Sequence, residues 1–93
     1  MKSFVLMERF LRIAAQDDRL LSVHVALYVS ICSYCPSKKL RTAFRISRRE
    51  LMCLSKIRSR ATYHRRLKEL VDFGLIEYSP SFDPFRASTM KLL

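Results

Sequence analysis

The side chains with an evident chemistry lie close together in this chain. Between Lys38 and Lys68 there are twelve bases, Lys38, Lys39, Arg41, Arg45, Arg48, Arg49, Lys56, Arg58, Arg60, Arg65, Arg66 and Lys68, against one acid, Glu50. The other residues hold six bases and seven acids, so the net charge of +10 comes from this one third of the molecule. Most of the twelve are Arg, whose planar donor fork matches phosphate oxygens and guanine edges better than a lysine ammonium does. A basic surface kept for solubility would draw on scattered lysines. An anionic membrane surface would ask for the bases on one isolated amphipathic helix, and they are not so arranged. The expected partner is a polyanion.

Other chemistries have weaker footing. Cys32-Ser33-Tyr34-Cys35 has the spacing of a metal or redox pair, with Cys53, His24 and His64 as further conceivable ligands. It has no second close-spaced pair and no βαβ setting, so a core helix explains it better and no metal is expected. Asp17-Asp18, the adjacent acidic pair, sits between two helical stretches, where capping or pairing with Arg19 accounts for it. The chain has a single glycine and hence no glycine-rich phosphate loop. Ser, His and Asp show no local arrangement that marks a nucleophile. The reading is a protein that is not an enzyme, with no cofactor and no small-molecule ligand. Tyr63 and His24 are read as core, His64 as the edge of a helix, and Met7, Met52 and Met90 as fillers.

The elements that must position the bases follow from pattern. A chain of 93 residues, 49% of them apolar, implies one domain over 1–93, able to bury roughly 60–70% of its unfolded surface. The stretch Leu20 to Cys35 is apolar but shorter than the roughly 20 residues a bilayer-spanning helix needs. Glu8 and Arg9 interrupt the first apolar residues, so no export signal is read. The odd number of cysteines gives no disulfide framework, which suggests a reducing cytoplasm.

Phe4, Met7, Leu11 and Ala14, with Phe10 beside them, recur at helical spacing and predict a first helix over about 4–15. Val5, Leu6 and Ile13 fall outside that stripe, so the helix has a surplus apolar face, and a homodimer through it is expected. Ser22 is placed to cap a second helix, nearly all apolar and therefore central, which Pro36 ends. Thr42-Ala43-Phe44-Arg45-Ile46 alternates as a short strand. Ser47-Arg48-Arg49-Glu50 matches a capping box that opens a short third helix through Leu51, Met52 and Leu54, followed by a turn at 55–58.

Ser59 is the next cap, and a fourth helix runs from it to Phe73, with Gly74 as the left-handed stop. At about 100° per residue Tyr63, Leu67, Leu70 and Val71 share one face, while Arg58, Thr62, Arg65, Arg66 and Glu69 gather opposite. Leu75–Tyr78 and Ala87–Leu92 alternate as two strands of a hairpin with a long, proline-containing tip.

The order helix, helix, strand, short helix, turn, capped helix, hairpin, with Ser47-x-x-Glu50-Leu51, Ser59-x-x-Thr62-Tyr63-x-x-x-Leu67-x-x-Leu70 and Gly74-Leu75-Ile76, resembles the winged helix-turn-helix family. The wing wording from Tyr78 to Phe85 is similar to that of small winged-helix proteins of bacterial mobile elements. The sequence departs from the family pattern at Tyr63, where a smaller aliphatic residue is usual. The resemblance implies an α+β, mostly helical fold: helices one and two over about 4–35, the helix-turn-helix over about 47–73 and the wing over about 75–92.

It further implies binding of double-stranded DNA, with the fourth helix in the major groove. Arg60, Thr62, Arg65 and Arg66 would then lie in or beside the groove, and Arg58 and Ser59 near phosphate at the helix start. Arg48, Arg49 and Lys56 would reach the backbone, and Arg86 at the wing tip the minor groove or a phosphate. The role implied is a transcriptional regulator or accessory factor. The alternatives are a replication or mobilisation initiator component, or an interaction module that docks on an acidic protein.

Overall fold

The computed structural model describes residues 2–34, 43–80 and 88–93, with side chains from Val5 onward. Among them the elements run α1 (Lys2–Gln16), α2 (Ser22–Cys32), β1 (Phe44–Arg45), α3 (Arg48–Ser55), α4 (Arg60–Asp72), β2 (Ile76–Ser79) and β3 (Thr89–Leu92). The architecture is α+β and mostly helical: four helices and a three-stranded antiparallel sheet that ends in the hairpin β2–β3. No helix of the described residues is long and apolar enough to cross a membrane.

A helix apolar all round must be enclosed, and α2 is. It touches α1, α3 and α4, and its Leu27, Tyr28 and Ile31 are fully or almost fully buried. Ser30 Oγ donates to the Ala26 carbonyl at 2.8 Å, and at the C-cap Ser33 Oγ donates to that of Ser30 at 2.6 Å. Helix α1 packs mainly on α2, with the Phe10 and Tyr28 rings stacked at 3.9 Å between centroids.

The buried line of α1 differs from the expected stripe. Leu6 and Phe10 are buried, whereas Leu11 joins Val5 and Ile13 among the exposed apolar residues. Met7 and Ala14 of that stripe do pack, partly buried, against the core, so α1 sinks the side formed by Leu6, Met7, Phe10 and Ala14, with Phe10 on Tyr28.

The start of α2 is also a correction, for Leu21 and not Ser22 is its N-cap. The preceding turn closes through Leu20 N–H to the Asp17 carbonyl at 3.0 Å, and the Arg19 N–H and side chain hold the Asp17 carboxylate. That leaves the Leu21 N–H to be taken by His24 Nδ1, at 2.8 Å. The Arg19 contacts keep the Asp17 pKa down at about 2.

Ser47 caps α3, its Oγ accepting from Glu50 N–H at 3.3 Å. The reciprocal half of the expected box is not made, because the Glu50 carboxylate accepts from the Tyr34 hydroxyl instead. Ser59 caps α4 in the same way, accepting from Thr62 N–H at 3.3 Å. Helix α4 stops where Gly74 adopts φ +75°; apart from its chain neighbours, no atom of the described residues lies within 4 Å of where a Cβ would be, so the backbone conformation calls for glycine.

The strand order is β1-β3-β2, with Phe44 opposite Met90, Tyr78 opposite Met90 and Ile76 opposite Leu92. Phe44, Ile76, Met90 and Leu92 face the core, and alternate residues look outward. The expected strand at 42–46 is shorter in the structure: only Phe44 and Arg45 pair, Ile46 adds one N–H bond to the Ser88 carbonyl at 3.0 Å, and Thr42 lies outside the described residues. The cysteine pair is likewise cut: Cys32 is buried in α2, and Cys35 lies outside the described residues.

Candidate nucleic-acid interface

The segment α3–turn–α4 is fixed from inside by one buried line. Leu51 of α3, Ile57 of the turn and Tyr63, Leu67 and Leu70 of α4 are all buried. Ile57 N–H donates to the Met52 carbonyl at 3.0 Å and Lys56 N–H to that of Cys53 at 3.3 Å, which closes the turn. Lys56 takes a left-handed conformation, φ +63°, in order to reverse the chain there without a glycine. With Ile57 anchored, its neighbours Lys56 and Arg58 are both exposed.

The cap at Ser59 sets the phase of α4. Tyr63, Leu67 and Leu70 point inward, and the exposed side is the line Ala61, Arg65, Lys68 and Asp72 with Arg60 and His64 beside it. Thr62, Arg66 and Glu69, expected opposite the core, form a half-buried flank toward α2.

The flank follows from the helical period, which sets 62, 66 and 69 beside the buried line and 61, 65, 68 and 72 opposite it, and its neighbour on α2 is His24. It is buried on α2, its Nδ1 accepts the Leu21 N–H, and its Nε2 must therefore carry the proton it shares with Glu69 Oε1 at 3.0 Å. Arg66 Nη1 donates to the same oxygen at 2.7 Å. Arg66 first, and then His24, hold the Glu69 carboxyl below its ordinary pKa. Arg66 is thus tied to a carboxylate of its own helix.

The other predicted cations are placed differently. Arg48, Arg49, Lys56, Arg58, Arg60 and Arg65 are exposed, and among the described residues none is ion-paired. Lys56, Arg58, Ser59 and Thr62 come together along a groove of about 700 Å³ whose opposite wall is the start of α2, at Ser22, Val23 and Ala26. Arg48 and Arg49 stand at the first turn of α3. Arg86 lies outside the described residues.

Two exposed residues of this surface went unassigned in the sequence, Ala61 and Lys68, and His64 proves exposed as well. The spacing Ala61, Arg65, Lys68 was the available signal, since four-and-three steps share a face. Beneath them the Tyr63 hydroxyl is buried with no hydrogen-bond partner among the described residues. Burial, helped by Tyr78 and partly opposed by Arg48, pushes its pKa up to about 12.

No family model, curated protein or solved structure matches this chain.

Among the described residues the arrangement joins Arg66, His24 and Glu69 on one flank of α4 and leaves its outer side to cations. What it offers is a convex helix with cations on its exposed side, preceded by a basic turn and by a second helix start with two arginines. Such a surface suits a polyanion whose charges are repeated at intervals.

Proposed function

We propose that this protein binds double-stranded DNA as a winged helix-turn-helix, with α3 and α4 as the two helices and β2–β3 as the wing. The carrying observation is the two-sidedness of α4: Tyr63, Leu67 and Leu70 hold it to the core, while Arg60, Arg65 and Lys68 face outward and are not ion-paired among the described residues. A helix of 13 residues is about 20 Å long and fits the major groove, with its first turns nearest the base edges. Arg65 is the residue best placed to read a base; Lys68 supplies a further positive charge on the same line. Arg48, Arg49, Lys56 and Arg58 serve the phosphates and set the angle of approach. Arg66 supports the helix through Glu69 more than it serves DNA.

The biological role consistent with this is a transcriptional regulator or accessory factor acting by occupancy of its site. Fluorescence anisotropy with a labelled duplex tests the reading. Six to eight phosphate contacts give a slope of log K against log salt of roughly −5 to −7. Arg65→Ala with Lys68→Ala should weaken binding by roughly tenfold or more and make the slope shallower by about 2. Duplex affinity that is unaffected by both substitutions refutes the placement of α4. An acidic protein that competes while no duplex binds would favour the docking module instead.

A further inference from the structure

A duplex seated on α4 has one strand along each flank of that helix. The major groove is about 12 Å wide and a helix with its side chains about 10–12 Å across, so α4 fills it and a sugar–phosphate backbone runs close along either side. The flank that faces α2 begins at Thr62 and continues through Arg66 to Glu69, the carboxylate that Arg66 and His24 hold. An acid repels a backbone, so the strand on this side is favoured beside the first turn of α4 and not beyond it.

There the flank opens into the groove of about 700 Å³ between α4 and the start of α2. Its described walls carry two bases, Lys56 and Arg58, and no acid. Ile57 is buried between them, which leaves both cations on the rim. Ser55 Oγ is turned to the Leu51 carbonyl at 2.6 Å, whereas Ser59 Oγ accepts from Thr62 N–H and keeps its own proton to donate. The wall opposite is α2: Val23 and Ala26 give it an apolar lining and Ser22 an exposed hydroxyl. Cations and hydroxyls over an apolar lining match a sugar–phosphate strand, whose phosphates are anionic and whose sugars present C–H faces. The larger groove along α1 lacks that match, since acids and bases are equal in number there.

We propose that the first turn of α2 is a third part of the DNA interface: one backbone of the duplex lies in the groove between α2 and α4, its phosphates on Lys56 and Arg58 and its far side on Ser22. This contact rests on the DNA-binding reading and adds to it a helix outside the α3–α4 pair. Ser22 allows it to be tested alone, for it is exposed, belongs to neither α3 nor α4, and stands at the first position of α2, where a change of side chain leaves the core intact.

Anisotropy of a labelled duplex at several salt concentrations compares Ser22→Glu and Ser22→Lys with the native chain. A unit charge about 4 Å from a phosphate is worth roughly fivefold even in bulk water. Ser22→Glu should therefore weaken binding by about fivefold or more while its Tm holds or rises, because an acid in the first turn suits the helix dipole. Ser22→Lys should tighten binding and steepen the slope of log K against log salt by about 1. The same charges at Ser33, the C-cap at the other end of α2 and roughly 16 Å away, lie beyond the Debye length of about 8–10 Å and should change affinity by less than about twofold. Equal effects from positions 22 and 33 overturn the α2 contact. So does affinity indifferent to the charge at 22 in a chain whose binding still falls with Arg65→Ala and Lys68→Ala, and that result leaves the α4 reading standing. A native chain that binds no duplex overturns both.

Discussion

Replacing Tyr63 by Phe removes a single oxygen whose position makes the outcome calculable. The ring is buried against the core and the hydroxyl finds no hydrogen-bond partner among the described residues. Leaving a buried donor unsatisfied costs about 1–3 kcal/mol, and the substitution keeps the ring and its packing. After allowance for the lost dispersion of the oxygen, Tyr63→Phe should stabilise the fold by about 1 kcal/mol, a rise in Tm of roughly 4–8 °C for a domain of this size.

Alkaline pH supplies a second, independent reading of the same group. Tyr63 is an acid whose folded pKa, about 12, exceeds its ordinary value of 10, because burial penalises the phenolate. Between those values the unfolded chain releases this proton and the folded chain keeps it, so stability falls as pH rises through that window. Below about pH 9 the group contributes almost no slope; by pH 11 it should cost the native protein about 1 kcal/mol that the variant does not lose. Urea denaturation of both proteins at pH 8, 10 and 11 measures the difference. A variant that is less stable at pH 8, or a stability gap that does not widen by pH 11, refutes the account of Tyr63 as an unpaired buried phenol.

Glu69→Gln should destabilise at neutral pH, since it removes the charge that Arg66 and His24 converge on. Because the native carboxyl has a lowered pKa, its contribution is complete above the ordinary carboxylate range and fades as pH falls through the lowered value. The gap in Tm between native and variant should therefore shrink on acidification from pH 6 to 3, and a constant gap would contradict the ion-pair reading. Lys56→Gly relieves a left-handed non-glycine residue at φ +63°, so stability should rise by up to about 1 kcal/mol while duplex affinity falls; both changes are measured on one preparation. Gly74→Ala should do the opposite, costing about 1 kcal/mol through backbone strain alone, since its Cβ meets nothing within 4 Å; a loss of several kcal/mol would point to crowding.

Much of the helical framework was legible because its signals are local. Ser47 and Ser59 accept from the amide three residues on, and Gly74 supplies the one conformation that ends α4; each depends only on near neighbours in sequence. The buried line Tyr63, Leu67 and Leu70 likewise follows from helical period, as does the centrality of an all-apolar α2. The concentration of cations between 38 and 68 is a property of the chain and needed no coordinates.

What tertiary structure decided is which side of each helix finds support. Helical period puts Arg66 and Glu69 on a flank of α4, but only the packing of α2 brings His24 onto Glu69 there, while Ala61, Arg65 and Lys68 stay outermost. Leu6 displaced Leu11 from the core because α1 rests mainly on α2 and buries the line that meets Tyr28. The pairing of β1 with β3 joins residues far apart in the chain, and Leu21 replaced Ser22 as a cap because a buried histidine reached back to it. In each case local propensity leaves several partners open to a polar group or apolar face; the choice among them is made by whichever surface, brought from elsewhere in the chain, first excludes water from it.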